Sequence, residues 1–192
     1  MIQEPKNILR KELQARVRQF AHKPHASVSL IAQLLLHPRW IRAKTVFLFA
    51  PLPSEPDITP LWHASRKGER RFYLPRLSSD HTAISFHEIA HPEALLESPA
   101  RFLEPPEKAP LFHPDKDSVD LILVPGLGFS PSGARIGRGK GHYDRALSAL
   151  PDTYKIGVAF DCQIVDTLPE ESHDIRMDFI LTENRTFELH AF

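Results

Sequence analysis

One cysteine, Cys162, is all the chain has, so no internal disulfide framework holds it together. A lone thiol suits a reducing compartment, and a cytoplasmic location is expected. Net charge is missing as well, because 24 Lys and Arg balance 24 Asp and Glu. Without a global field there is no general attraction to nucleic acid or to an anionic membrane, so any anion site must be local. No apolar run approaches the ~20 residues of a membrane-spanning helix. The basic N-terminus lacks the apolar core of a signal peptide, and Glu4 and Glu12 sit where a transit peptide avoids acids. Internal repeats and low-complexity tracts are absent. Glycine is scarce too, at eight, and six of these fall between residues 121 and 145.

With 192 residues, 42% of them hydrophobic and 25% charged, the chain reads as one globular domain, 1–192, large enough to bury a core. Its centre is LILVPGLGFSPSGARIGRGKGHYDR, residues 121–145. Leu121 to Val124 predict a buried strand, Pro125-Gly126 breaks it, and a helix is expected to begin near His142. A strand, a glycine-rich loop and a helix start can cradle phosphate, since glycine permits close approach and free N–H groups attract anions. Arg135, Arg138 and Lys140 add cations, and Asp144 adds a carboxylate of the kind that holds Mg²⁺ together with phosphates. The familiar fingerprints do not match. Ala134 and Gly141 break G-x-x-x-x-G-K-[ST] around Lys140, and Pro131 falls at the third glycine of G-x-G-x-x-G. Loop chemistry favours a phosphate site over a glycine hairpin with solvated cations.

Around this centre the pattern alternates helix and strand. Residues 5–22 predict an amphipathic helix with Pro5 at its first position and Leu9, Leu13, Val17 and Phe20 on one stripe. Lys6 and Arg10, four apart, share a second face that pattern alone reads as solvated. A second helix over 26–37 would turn Ala26, Leu30, Leu34 and Leu35 inward and end at Pro38. Strands are expected at 45–49 and 71–75 with a helix over 58–66 between them, a right-handed parallel βαβ unit. The loop after the first strand carries Glu55 and Asp57, which pattern alone leaves in solvent.

HEIAH, His87 to His91, satisfies the zinc-protease motif H-E-x-x-H, but only a helix would bring both histidines to one face. Residues 82–89 alternate as a strand does, and Pro92 pushes His91 toward extended geometry. On a strand the two histidines stand ~13 Å apart, too far for one zinc ion. Residues 92–118 are proline-rich and predict little regular structure; Glu104 there is either a solvated acid or an ordering contact. Beyond the glycine loop a helix is expected over 143–150, ended by Pro151, then a strand over 154–160. Cys162 reads as a small buried residue rather than a nucleophile.

The wording of 121–145 closely resembles the signature of the 5-formyltetrahydrofolate cyclo-ligases, also called methenyltetrahydrofolate synthetases. That signature is an apolar strand, P-G-L-x-F, a turn, then [LI]-G-x-G-x-G-x-Y-D. Leu127, Phe129, Ile136, Tyr143 and Asp144 fit, and His142 stands where the family often has Tyr or Phe. KNILR, residues 6–10, has the family form K-x-x-[LM]-R, and LPEESHDIRMDFILTE resembles a later family run. The resemblance implies that Lys6, Arg10, Gly137, Arg138, Gly139, Lys140, Gly141, His142 and Tyr143 bind ATP, with Arg138 and Lys140 as the catalytic charges. It implies that Glu55, Phe49 and Tyr143 meet the folate, Glu55 facing the paired N–H donors of the pterin edge. It implies Mg²⁺ at Asp144 and Asp174. His173 either orients Asp174 or packs, and Asp178 opens a strand.

The implied fold is α/β: a single-domain three-layer sandwich with a mostly parallel sheet and an N-terminal helix, NagB/RpiA/CoA-transferase-like. The implied activity is the ATP- and Mg²⁺-dependent closure of 5-formyltetrahydrofolate to 5,10-methenyltetrahydrofolate by a monomer whose partners are small molecules. Two alternatives share the evidence. The same layout serves sugar-phosphate isomerases and CoA transferases, and a basic loop could bind nucleic acid, although zero net charge and the lack of interleaved aromatics oppose that.

Overall fold

The computed structural model describes residues 3–63, 70–90, 92–98, 102–171 and 173–189. Helix α1, Gln3–Gln19, buries Leu13 and Val17. Helix α2, Lys23–Leu36, buries Ala26, Leu30 and Leu34, four apart along one row. Leu35, expected inside, is exposed, because it lies about 100° around the helix from Leu34 and leaves that row. Pro38 ends α2 and opens α3, Pro38–Arg42, where His37 accepts a hydrogen bond from the Arg39 N–H.

The strands follow as β1 (Thr45–Phe47), β2 (Arg71–Leu77), β3 (Ile84–Glu88), β4 (Leu96–Glu97) and β5 (Leu103–Glu104). Then come β6 (Leu121–Pro125), β7 (Gly128–Phe129), β8 (Arg135–Ile136), helix α4 (His142–Ser148), β9 (Tyr154–Val158), β10 (Phe179–Leu181) and β11 (Thr186–Glu188). The helix expected over 58–66 is a 3₁₀ turn at Thr59–His63, and 64–66 lie outside the described residues. Asp57 caps that turn, accepting from both the N–H and the hydroxyl of Thr59.

The main sheet has the order β11-β10-β9-β6-β1-β2-β3. The five inner strands are parallel; β3 and β11 run antiparallel at the edges. Both faces are covered, which is why the inner strands read as continuous apolar runs. Val46, Leu121 and Leu123 pack toward Leu30, Leu34 and Trp40 of the first helical layer. Phe47, Ile122 and Val124 pack the other way, with Leu147 of α4 and Phe112. This is the expected three-layer architecture. The chain leaves β1 for β2 on one side and later returns as β6 on the other, so a topological switch point lies between β1 and β6. In such sheets, ligands bind outside the carboxyl ends of the strands at that point.

His87 lies on the edge strand, as the alternation predicts, and is buried. Its Nδ1–H donates to the Ala109 carbonyl at 2.9 Å, and Ser85 Oγ lies 3.0 Å from Nε2. His91 lies outside the described residues. Glu104 is an ordering contact, buried and paired with Arg76 at 2.8 Å. Among the described residues no helix is long and apolar enough to cross a membrane.

Candidate active site

A cavity of about 430 Å³ opens at the switch point, and every residue singled out above as a site candidate lines it. The loop after β1 supplies one wall. Phe49 is buried there, and Glu55 accepts the Leu52 N–H at 3.0 Å while its own N–H closes the turn onto the Leu52 carbonyl. Burial pushes the Glu55 carboxyl above its ordinary value; the Leu52 N–H and Arg138 pull the other way without cancelling it. Arg138 reaches over from the glycine loop, donating to Ser54 Oγ at 2.8 Å and lying 3.3 Å from Glu55 Oε1. Two residues that the resemblance assigns to different substrates are thus in contact.

The segment after β6 supplies the opposite wall. The short β7–β8 ribbon turns the chain back and presents Arg135, whose side chain is only 4% exposed. Arg135 donates to Asp144 Oδ1 at 2.7 Å and to the Pro125 carbonyl at 3.3 Å, and its guanidinium stands 5.7 Å from the Tyr143 ring. Burial pushes the Tyr143 hydroxyl far above its ordinary range, and the charge of Glu55 adds to this. His142 donates from Nε2 to the His81 carbonyl at 3.0 Å. It is therefore tied to the turn between β2 and β3. Lys140 is exposed, and its carbonyl accepts from Arg145 Nη2 at 2.9 Å, while its ammonium makes no hydrogen bond or ion pair among the described residues.

The loop glycines have a use that the sequence reading did not foresee. A Cβ on Gly137 would stand 2.8 Å from Arg135 Nη1, one on Gly139 3.2 Å from Arg10 Cζ, and one on Gly141 2.7 Å from Arg145 Nη1. Each glycine of G-R-G-K-G makes room for a different guanidinium of the protein itself. Gly139 and Gly141 also have φ values of +92° and +65°, which side chains avoid.

Helix α1 and the segment before β10 close the remaining side. Arg10 donates to the Gly137 carbonyl at 3.0 Å, fastening the helix to the loop. Lys6 is buried and bonds Glu171 Oε2 at 2.7 Å and Asp174 Oδ2 at 2.9 Å. For Asp174, burial acts upward, but the Glu171 N–H and Lys6 outweigh it and hold the carboxyl below 3.8. Burial would lower Lys6, yet the two acids keep it raised. His173, left open between packing and orienting, is 69% exposed, and its Nε2 stands 3.8 Å from both acids. It does not pack. Glu171 was missed by the sequence reading. Its only signal was a carboxylate three residues before Asp174. Glu171, His173 and Asp174 each offer a donor atom within 4.8 Å of the others.

Parallel strands, a cavity at their carboxyl ends and charged groups converging on it from four segments define a small-molecule α/β enzyme. The chain belongs to the 5-formyltetrahydrofolate cyclo-ligase family, whose model matches residues 2–183, and the enzyme is a ligase. It is 34% identical over 151 residues to a 5-formyltetrahydrofolate cyclo-ligase of Mycolicibacterium smegmatis, covering 76% of each chain. The fold matches the structure of the Aquifex aeolicus 5,10-methenyltetrahydrofolate synthetase with a TM-score of 0.84 at 31% identity, covering 97% of this chain and 94% of that one. A Mycoplasma pneumoniae 5,10-methenyltetrahydrofolate synthetase matches with a TM-score of 0.71 at 27% identity, over 93% and 98% of the two chains.

Proposed function

We propose that the protein closes 5-formyltetrahydrofolate to 5,10-methenyltetrahydrofolate at the expense of ATP. The observation that carries the reading is the convergence, on one cavity at the switch point, of every residue to which the family resemblance gives a binding role. The formyl oxygen is a poor leaving group. Transfer of the ATP γ-phosphoryl group to it releases ADP; N10 then attacks the activated carbon and gives up its proton to solvent, the C–O bond breaks and phosphate departs. Such a transfer asks the protein mainly for positioning and charge neutralisation, not for a nucleophile.

Lys6, Arg10, Arg138 and Lys140 supply the cations for the phosphates. Glu55, beside buried Phe49, is the acceptor for the pterin N–H donors. The carboxylates suit Mg²⁺, a hard ion that takes oxygen donors and shares its shell with phosphates. Asp144 Oδ2 has no partner among the described residues, and Asp174 and Glu171 lie in the same cavity. Asp144 and Asp174 would hold the ion, which when bound would offset phosphate charge.

The test is an absorbance assay for methenyl product with ATP and Mg²⁺ supplied or withheld. Product formed without ATP would sink the reading. A coupled ADP assay with and without the folate separates it from isomerase or CoA-transferase chemistry on the same fold, since neither of those makes folate-dependent ADP.

A further inference from the structure

The geometry points to Arg135 as a positioning residue for the reaction, acting through Asp144; the inference rests on Asp144 being a metal ligand. Three observations converge on it. First, the Arg135 side chain is 4% exposed, and its guanidinium grips Asp144 Oδ1 at 2.7 Å. That grip occupies one carboxylate oxygen and leaves Oδ2 as the one without a partner among the described residues. Asp144 is thereby presented as a single-oxygen donor, the mode that suits a small cation with strict octahedral demands. Second, the other arm of the fork is anchored to backbone, on the Pro125 carbonyl at 3.3 Å, at the very end of β6. The carboxylate is thus referenced to the rigid sheet rather than to the loop alone. Third, the chain keeps a slot open for this side chain. A Cβ on Gly137 would stand 2.8 Å from Arg135 Nη1; one on Gly126 would meet Phe129 first, at 2.8 Å, and Arg135 Cγ at 3.3 Å.

The arrangement also has a cost. Arg135 Nε is buried without a partner among the described residues. A group that served packing alone would be better replaced by an apolar one, since an unmatched buried donor destabilises. Lysine is a poor substitute, because its flexible ammonium lacks the planar fork by which one rigid group reaches both the Asp144 carboxylate and the Pro125 carbonyl.

The test compares Arg135→Lys, Asp144→Asn and the double variant. The readouts are kcat and the affinity for Mn²⁺, followed by electron paramagnetic resonance with a non-hydrolysable ATP analogue present. Arg135→Lys is expected to lower kcat about tenfold or more and to weaken Mn²⁺ binding about fivefold, while the double variant matches Asp144→Asn within about twofold. Effects that multiply in the double variant, or wild-type Mn²⁺ affinity in Arg135→Lys, would overturn the proposal. Wild-type Mn²⁺ affinity in Asp144→Asn alone would instead remove the metal reading beneath it, and the proposal with it. Should Arg135→Lys fail to fold, Gly137→Ala keeps the arginine but puts a methyl group in its slot. The same paired loss of kcat and Mn²⁺ affinity is expected there, and a wild-type Gly137→Ala enzyme would overturn the proposal equally.

Discussion

Arg138 Nη2 lies 3.3 Å from Glu55 Oε1, joining the glycine loop to the loop after β1 across the cavity. The acid is 8% exposed and the arginine 42%, so the carboxylate end of the pair is buried and the guanidinium end faces solvent. Burial raises Glu55, and Arg138 is among the groups that restrain the rise. On the proposed roles of these two residues, the contact couples the two substrates: whatever draws Arg138 toward phosphate changes how readily Glu55 ionises.

Arg138→Ala should shift the pH dependence of folate use as well as weaken ATP binding. Removing the cation lets the Glu55 carboxyl rise further, and only the ionised form accepts two pterin donors. The acidic limb of kcat/KM for the folate should move to higher pH. A limb that stays in place would show that Arg138 does not act on Glu55.

Glu55→Gln should raise the folate KM, yet stabilise the protein at alkaline pH. A carboxyl whose folded value is raised contributes stability that is full below its ordinary value of 4.5 and is lost as pH rises through the folded value. The melting temperature of Glu55→Gln minus that of the wild type should thus be larger at pH 8 than at pH 5. Equal differences at the two pH values would contradict burial as the cause.

Asp144→Asn and Asp174→Asn should each lose most activity at limiting Mg²⁺. Asp144→Asn also leaves the Arg135 charge without its partner, and should cost about 1.5–3 kcal/mol in denaturant unfolding. Asp174, held below 3.8, contributes stability that is full above that value and disappears as pH falls through the lower folded one. Its asparagine variant should therefore flatten the acid side of the stability curve.

Purified protein should carry no stoichiometric zinc at His87. Ser85 and Ala109 already engage both ring nitrogens. Metal analysis showing one zinc per chain that disappears in His87→Ala would refute this. The variant itself should be destabilised by about 1–3 kcal/mol, because it strands the Ala109 carbonyl.

The inner strands were legible because burial on two faces writes itself as an unbroken apolar run, as in Leu121 to Val124. The site candidates were legible where a local string carries them, as Lys6 to Arg10 and Ile136 to Asp144 do. Contacts made across the chain were not. Lys6 pairs with an acid 168 residues away, and no spacing rule reaches that far. Leu35 misled because a hydrophobic side chain one step beyond a row reads like part of it. Arg135 sat inside the motif but showed only as another loop cation, since its burial depends on the Pro125 carbonyl and two glycines.

The guanidinium slots make tolerance at one loop position conditional on another. Gly139 and Gly141 have a backbone reason of their own, with φ in the left-handed region, so alanine is disfavoured there whatever surrounds it. At Gly137 φ lies outside that region, and the atoms nearest its missing Cβ all belong to Arg135. Position 137 thus inherits its constraint by epistasis. Alanine at 137 should recover most of its lost folding stability once Arg135 is shortened, although that double variant has no anchor for Asp144. Restored folding without restored turnover would show that a codon for glycine is being held in place by an arginine two positions earlier.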